Sequence, residues 1–325
     1  MNIDKKYYQA IQENLGNTIQ DTTINVPNKK AGKVRDAYFL DNKVLMVSTD
    51  RQSAFDRVLA AIPYKGAVLN LVSAWWFTKT KDRFPNHLIS VPDPNVSLVE
   101  KCDVFPIEFV VRGYITGTTE TSLWTVYSSG AREYCGNSLP EGLRKNDKLN
   151  EPMLTPTTKD KVHDRPVSKQ EIIDLGLMSE SDFDVAAKMS LELFSYGQKV
   201  AKENGLILVD TKYEIGRGTD GTIKLVDEIH TPDSSRYWIN KSYETRMSAG
   251  EEPQNIDKEF LRLWFVDHCD PYSDAELPPA PTDLVIELSS RYIYLYETIT
   301  GEQFTLPPDG ETILDRIVSN LEEYL

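Results

Sequence analysis

The apolar and polar positions divide this chain into a β-rich first part and an α+β second part that ends in a helical tail. The opening MNIDKKYYQAIQENLG has helical spacing with one apolar face. Residues 30–49 read as a hairpin, with KVRDAYFL and KVLMVST turning at Asp41-Asn42. The β-branched and aromatic run VFPIEFVVRGYI (104–115) reads as another strand, closed by Gly117. Residues 136–166 are rich in Pro, Gly, Asn, Thr and Lys and read as a long functional loop. Ser168 with Glu171 predicts a capping box on a short helix that stops near Gly176. Ser181 starts a longer helix with Phe183, Ala186, Met189, Leu193, Tyr196 and Val200 on one face, ending at Asn204-Gly205. Residues 257–265 and 283–297, the latter with Val285, Leu288, Tyr292 and Leu295, repeat at helical spacing. So does a last segment with Ile313, Leu314, Ile317, Val318 and Leu321.

The hairpin at 206–229 breaks this ordinary pattern. Strict alternation puts Leu206, Leu208, Asp210, Lys212 and Glu214 on one face and Ile207, Val209, Thr211, Tyr213 and Ile215 on the other. The first face turns from apolar to charged as it nears the turn. Asp220-Gly221 is a type I′ signal, and a two-residue loop there sets Glu214 opposite Asp227. Like charges about 4.5–5.5 Å apart destabilise a strand pair, and a divalent cation between them removes that penalty. One or two carboxylates completed by phosphate oxygens is the ligand count of nucleotide-bound magnesium. Lys212, on the same face, is placed to meet a phosphate. An exposed hairpin with solvated charges stays open as an alternative, since Gly216 and Gly218 permit a bulge and a slip of register. The next segment, His230-Thr231-Pro232-Asp233-Ser234-Ser235-Arg236, favours the ligand-binding reading, because it offers hydroxyls and a guanidinium to a phosphate.

Composition narrows the chemistry. With 40% hydrophobic and 26% charged residues, the 325-residue chain can build one large or two modest cores. No stretch approaches the ~20 apolar residues of a membrane span, and the N-terminus is not expected to be a signal peptide. Cys102, Cys135 and Cys269 lie far apart, so a reducing cytoplasm is the expected setting. A formal charge of −14 without a long basic run argues against nucleic acid. The same charge repels anionic substrates, which must then be held by local clusters of Lys and Arg. His87, His163, His230 and His268 show no ligand spacing, which argues against a zinc site.

Three further segments place basic residues in ordered contexts. Gly32-Lys33-Val34-Arg35-Asp36 is no Walker A loop, but on a strand Lys33 and Arg35 share a face and Gly32 admits a ligand. The polar stretch 50–56, with Arg51, Ser53 and Asp56, reads as a ligand-binding loop or as a helix N-terminus. Arg112 stands at a strand end before a Gly117-Thr118 turn, which reads as a phosphate contact or as a hairpin corner.

Together these segments resemble SAICAR synthase, the phosphoribosylaminoimidazole-succinocarboxamide synthase family, in its longer form. The resemblance runs through GKVRDAY, STDRQSAFD, PIEFVVRGYITGT, EPMLTPTTK, GLILVDTKYEIG, DEIHTPDSSRYW and SYETRMSAGEEPQNIDKEFLRLW. It continues more loosely through RYIYLYETITGEQF. It implies an α+β, two-lobed ATP-binding fold related to ATP-grasp enzymes and kinases, with a helical C-terminal extension. The lobes implied are 1–115, small, β-rich and ATP-binding; 116–265, larger, with the metal-binding hairpin; and 266–325, the extension. The implied reaction ligates L-aspartate to carboxyaminoimidazole ribonucleotide with ATP and magnesium, by phosphoryl activation of the carboxylate. By the same resemblance Lys33, Arg35, Lys212 and Glu214 meet ATP, and Glu214 and Asp227 hold the metal, with Lys212 beside them at the catalytic centre. Arg112, Thr118, Asp233, Ser234, Arg236 and Ser53 meet the ribotide, while residues 155–159 line the site. Gly117-Thr118 stands where the short form has Gly-Ser, which keeps the hydroxyl. The aspartate subsite is not placed. Another ATP-grasp-like ligase or a small-molecule kinase is the rival reading. The partners expected are these small molecules, with neither nucleic acid nor membrane, in a monomer or homodimer.

Overall fold

The computed structural model describes residues 5–55, 57–159, 165–256, 258–308 and 310–324. Helix α1 (Lys5–Glu13) precedes strands β1 (Lys29–Ala31), β2 (Arg35–Phe39) and β3 (Lys43–Ser48). A small hairpin follows, β4 (Arg51–Ala54) with β5 (Arg57–Ala61), and then helix α2 (Lys65–Thr80). Strands β6 (Leu88–Asp93) and β7 (Val96–Glu100) finish an antiparallel sheet ordered β1-β2-β3-β7-β6. The long strand β8 (Asp103–Tyr114) opens a second sheet. After it come α3 (Leu123–Ser128), β9 (Glu133–Tyr134), β10 (Asn137–Ser138), β11 (Lys148–Leu154), β12 (Thr157–Thr158), α4 (Lys169–Asp174) and α5 (Glu180–Glu203). Strands β13 (Leu206–Arg217), β14 (Ile223–Val226) and β15 (Ser235–Ile239) complete the second sheet. There β8 and β13 pair centrally, β11 and β12 flank β8, and β14 and β15 share the other edge of β13. Helices α6 (Asn240–Ser248), α7 (Glu259–His268), α8 (Thr282–Thr300) and α9 (Ile313–Asn320) end the chain.

The main core lies between the second sheet and helices α2, α5 and α8. Phe109, Val111, Tyr213 and Ile215 of the sheet meet Val72, Trp76, Phe194, Leu288 and Tyr292 of the helices. Helix α2 is buried on almost every side, and for that reason it shows no one-sided stripe in the sequence. The first sheet has its own core, in which Tyr38, Leu45, Val47 and Leu98 pack under Ile19, Ile24, Ile313 and Ile317. Segments from both ends of the chain thus cover this sheet. Arg316 of α9 fixes the arrangement, donating to both oxygens of fully buried Asp93 at 2.9 and 3.1 Å. No helix among the described residues is long and apolar enough to cross a membrane.

Several expectations meet the structure here. The 30–49 hairpin forms as β2 and β3, with Phe39 paired to Val44 across the Asp41-Asn42 turn. The capping box at Ser168 and Glu171 is complete. The long helix starts two residues earlier than expected, because Ser179 accepts from the Asp182 N–H as its N-cap. Residues 136–166 are less loop-like than their composition predicts, since β11 and β12 pair with β8; residues 160–164, including His163, lie outside the described residues. The stretch 50–56 is one arm of the β4–β5 hairpin and neither a loop nor a helix start; Asp56 lies outside the described residues. The lobe division expected at 115 falls at the end of β8, a strand hydrogen-bonded to β13, so the two sheets part between β7 and β8.

Candidate functional site

The charged face of β13 is offset from its apolar start by an irregularity. Leu206 and Leu208 belong to the main core, and so do Tyr213 and Ile215, which strict alternation forbids. A register shift between Leu208 and Asp210 against β15 exchanges the faces. Asp210, Lys212 and Glu214 therefore do not share a face with Leu206 and Leu208, a correction to the alternation rule. They stand on the side of the sheet away from that core.

The hairpin register is also corrected. Glu214 pairs with Val226, not Asp227, and Arg217 with Ile223. The Gly218 N–H donates to the Thr222 carbonyl at 2.9 Å, and Gly221 has φ +81°, so the loop has three residues instead of two. Asp227 lies just past β14 with φ +62°, a left-handed conformation that is strained for a residue with a Cβ. Although out of register, its carboxylate still feels the charge of Glu214. The residue directly opposite Glu214 across the other edge is Glu108 of β8, which sequence reasoning missed. Lys212 relieves that clash by donating at 2.9 Å to both Glu108 and Glu214.

Arg35, the first residue of β2, reaches across from the other sheet. Its guanidinium pairs with Asp227 at 2.7 Å and also with Glu228, tying the first sheet to the end of β14. Lys33 does not share a strand face with Arg35, because residues 32–34 form the turn between β1 and β2. That turn is held by the Gly32 N–H to the Arg35 carbonyl at 2.8 Å and by Arg51, which donates to the Lys33 and Gly32 carbonyls. The electrostatics of the two metal candidates differ. Burial favours the neutral form of Glu214, but Lys212 and Lys159 outweigh it and hold its carboxyl down at about 2. Burial pushes Asp227 up to about 6, with Glu214 and Glu228 adding to the shift and Arg35 opposing it. Among the described residues, no three His, Cys, Asp or Glu side chains converge as a metal site built by protein alone.

Further along the same sheet lies a second cluster. Asp210 stands in register with Arg112 on one side and Arg236 on the other, and Arg236 donates to it at 2.6 Å. The buried Arg112 guanidinium is fixed by Thr155 at 2.8 Å and by the Thr121 carbonyl at 3.3 Å. Two arginines thus flank one aspartate in register across three strands. Beside them Asp233 accepts from buried Lys65 at 2.7 Å, from the Tyr292 hydroxyl at 2.7 Å and from Lys258 at 3.4 Å. Burial alone would raise the Asp233 carboxyl, but Lys258 and Lys65 hold it well below the usual carboxylate range. Lys258 also donates to the Ser53 carbonyl at 3.3 Å, which brings β4 to the cluster. The Ser234 hydroxyl lies against Thr231, and Thr118 donates to Glu259 of α7 at 3.1 Å. A cavity of about 120 Å³ joins Asp210, Asp233, Ser234, Arg236, Lys258 and Arg262.

Lys212, Glu214, Asp227, Arg112, Asp233, Ser234 and Arg236 thus gather in two clusters along the second sheet, joined by Arg35 from the first sheet, by the Ser53 carbonyl of β4 and by Thr118 through Glu259; Lys33 stays apart in the β1–β2 turn. Lys65, Lys258 and Tyr292 were missed. Lys65 and Lys258 stand at helix starts and Tyr292 in a helix interior, where the sequence carries no signal beyond charge or spacing. A SAICAR synthetase family model matches residues 28–279. A phosphoribosylaminoimidazole-succinocarboxamide synthase from Legionella pneumophila is 58% identical over 307 residues, covering 94% of this chain and 98% of that protein. The SAICAR synthase from Saccharomyces cerevisiae, solved with SAICAR, superposes with a TM-score of 0.76 at 33% identity, covering 89% of this chain and all of the other. A SAICAR synthetase solved with ADP gives 0.66 at 25% identity, covering 86% of this chain and 100% of that one. A single α+β, two-lobed architecture underlies all three likenesses, and the chain belongs to the SAICAR synthetase family.

Proposed function

We infer that this chain joins L-aspartate to carboxyaminoimidazole ribonucleotide at the expense of ATP, giving SAICAR, ADP and phosphate, as its family membership supports. The observation that carries the residue assignment is the succession of two unlike clusters on one sheet face. One is a carboxylate pair with a lysine, the other an arginine pair with a buried aspartate.

A carboxylate is a poor electrophile, so its oxygen must take the γ-phosphoryl group, with ADP leaving, before the aspartate amine attacks. The amine then forms the amide bond, loses a proton, and phosphate departs. No covalent protein nucleophile is needed, and the protein's part is positioning and charge. In our reading Lys212, Arg35 and the turn at Lys33 receive the ATP phosphates, and Glu214 and Asp227 would hold the magnesium of the nucleotide. The two carboxylates suit that ion, since their mutual repulsion and the upward push on Asp227 are both relieved by a cation. Magnesium, when bound, neutralises phosphate charge. Arg112 and Arg236 receive the ribotide phosphate, aided by Thr118 and Ser234, while Asp233, fixed from three sides, orients the same substrate together with Ser53. The test measures ADP release with each of the three substrates omitted in turn. Release that needs all three is expected, and equal turnover with an unrelated carboxylate would favour another ATP-dependent ligase or a small-molecule kinase.

A further inference from the structure

A cavity of about 500 Å³ opens at the far ends of the two long strands, and none of its lining residues belongs to the two clusters above. It lies where the end of β8 and the start of β13 meet α5, α6 and the segment before β11. Its size is that of small-molecule sites, roughly 300–1,000 Å³.

One wall is aromatic and preformed. Tyr114 and Tyr243 meet edge to face at 5.7 Å, and both pack on Trp238, at 5.0 and 5.6 Å. The Tyr243 hydroxyl donates to the Asn146 carbonyl at 2.7 Å, which fixes that ring. The other walls are charged against the trend of the whole molecule. Arg144, Lys148, Lys199 and Lys202 face Asp147 and Glu244, four cations to two carboxylates, on a chain of formal charge −14. Arg144 is paired with Asp147 at 3.2 Å and Lys199 with Glu203 at 4.0 Å. Lys148 and Lys202 have no ion-pair partner among the described residues. Lysines in the last turns of α5 by themselves only complement a helix end. Lys148, however, comes from β11, a different element, and converges on the same cavity.

We propose that this cavity is a second ligand site, separate from the catalytic clusters, for a planar aromatic ring carrying a phosphate, the chemistry of a purine mononucleotide. The ring lies against Tyr114 and Tyr243, and the phosphate lies between Lys148 and Lys202.

Calorimetric titration of the full chain with AMP tests this. The variant carrying Lys148→Glu and Lys202→Glu is expected to bind one equivalent of AMP fewer than the unaltered protein, while its KM for ATP stays within about twofold, since neither lysine touches the catalytic clusters. Inorganic phosphate and adenosine are each expected to bind this site at least about tenfold more weakly than AMP, a loss of about 1.4 kcal/mol. Equal stoichiometry and affinity in variant and unaltered protein would overturn the proposal, and so would phosphate binding as tightly as AMP.

Discussion

Lys212 sits between Glu108 and Glu214, and Asp227 answers to Arg35, so no charge in the first cluster acts alone. Glu214→Gln and Asp227→Asn are therefore expected to lower kcat by about 10²-fold or more, the scale of a lost electrostatic contact in a transition state. Thermal melting should shift little in either variant. A fall in Tm matched to the fall in rate would show a structural role instead. Arg236→Ala should raise KM for the ribotide far more than KM for ATP, measured by varying each substrate separately. The sequence drew attention to Glu214 and Asp227 through a pairing arithmetic that proved one residue off. Asp227 leaves the ladder with φ +62°, and its carboxylate still feels the charge of Glu214. The true in-register neighbour, Glu108, lies 106 positions away along the chain, and local spacing carries no information about it.

At the scale of elements, the same limit recurs. Hairpins, caps and amphipathic helices were legible because each depends on residues a few positions apart, as in the capping box of Ser168 and Glu171. Helix α2 was not, because burial on nearly all sides removes the periodicity that marks a helix. Yet α2 supplies Lys65, on which the placement of Asp233 depends. Helix α9 is held to the first sheet by its buried Ile313 and Ile317 and by Arg316 on Asp93, a carboxylate with no solvent exposure. Arg316→Ala leaves that charge buried with its amide donors alone and should cost roughly 3–5 kcal/mol of stability, read as a lower Tm. The remaining folded enzyme should keep KM for ATP, since α9 supplies no side chain to either cluster.

For the whole molecule, one source of acid sensitivity is a buried imidazole. Burial pushes His230 down to about 3, with one ring nitrogen near the Tyr213 hydroxyl and the other without a partner among the described residues. In the unfolded chain its pKa is about 6.5, so below that value the unfolded state binds the extra proton and folding weakens. The contribution of His230 to stability is expected to be complete above pH 6.5 and to fall progressively toward pH 3. In His230→Asn the slope of unfolding free energy against pH should be smaller by about one proton across that window. An unchanged slope in denaturant titrations at several pH values would contradict this assignment.

The sequence by itself determined the local elements, the family resemblance and most of the residues in the two clusters, because turn chemistry, capping and short motifs are properties of neighbouring positions. Only the tertiary structure decided which charges meet. The three-residue loop moved Glu214 opposite Val226, the register shift beyond Leu208 moved Asp210, Lys212 and Glu214 off the face of Leu206, and Glu108, Lys65, Lys258 and Tyr292 arrived from distant segments. Register and long-range pairing are set by how whole sheets and helices bury their apolar faces together. That competition is settled in three dimensions, and a single residue gained or lost in a loop changes its outcome.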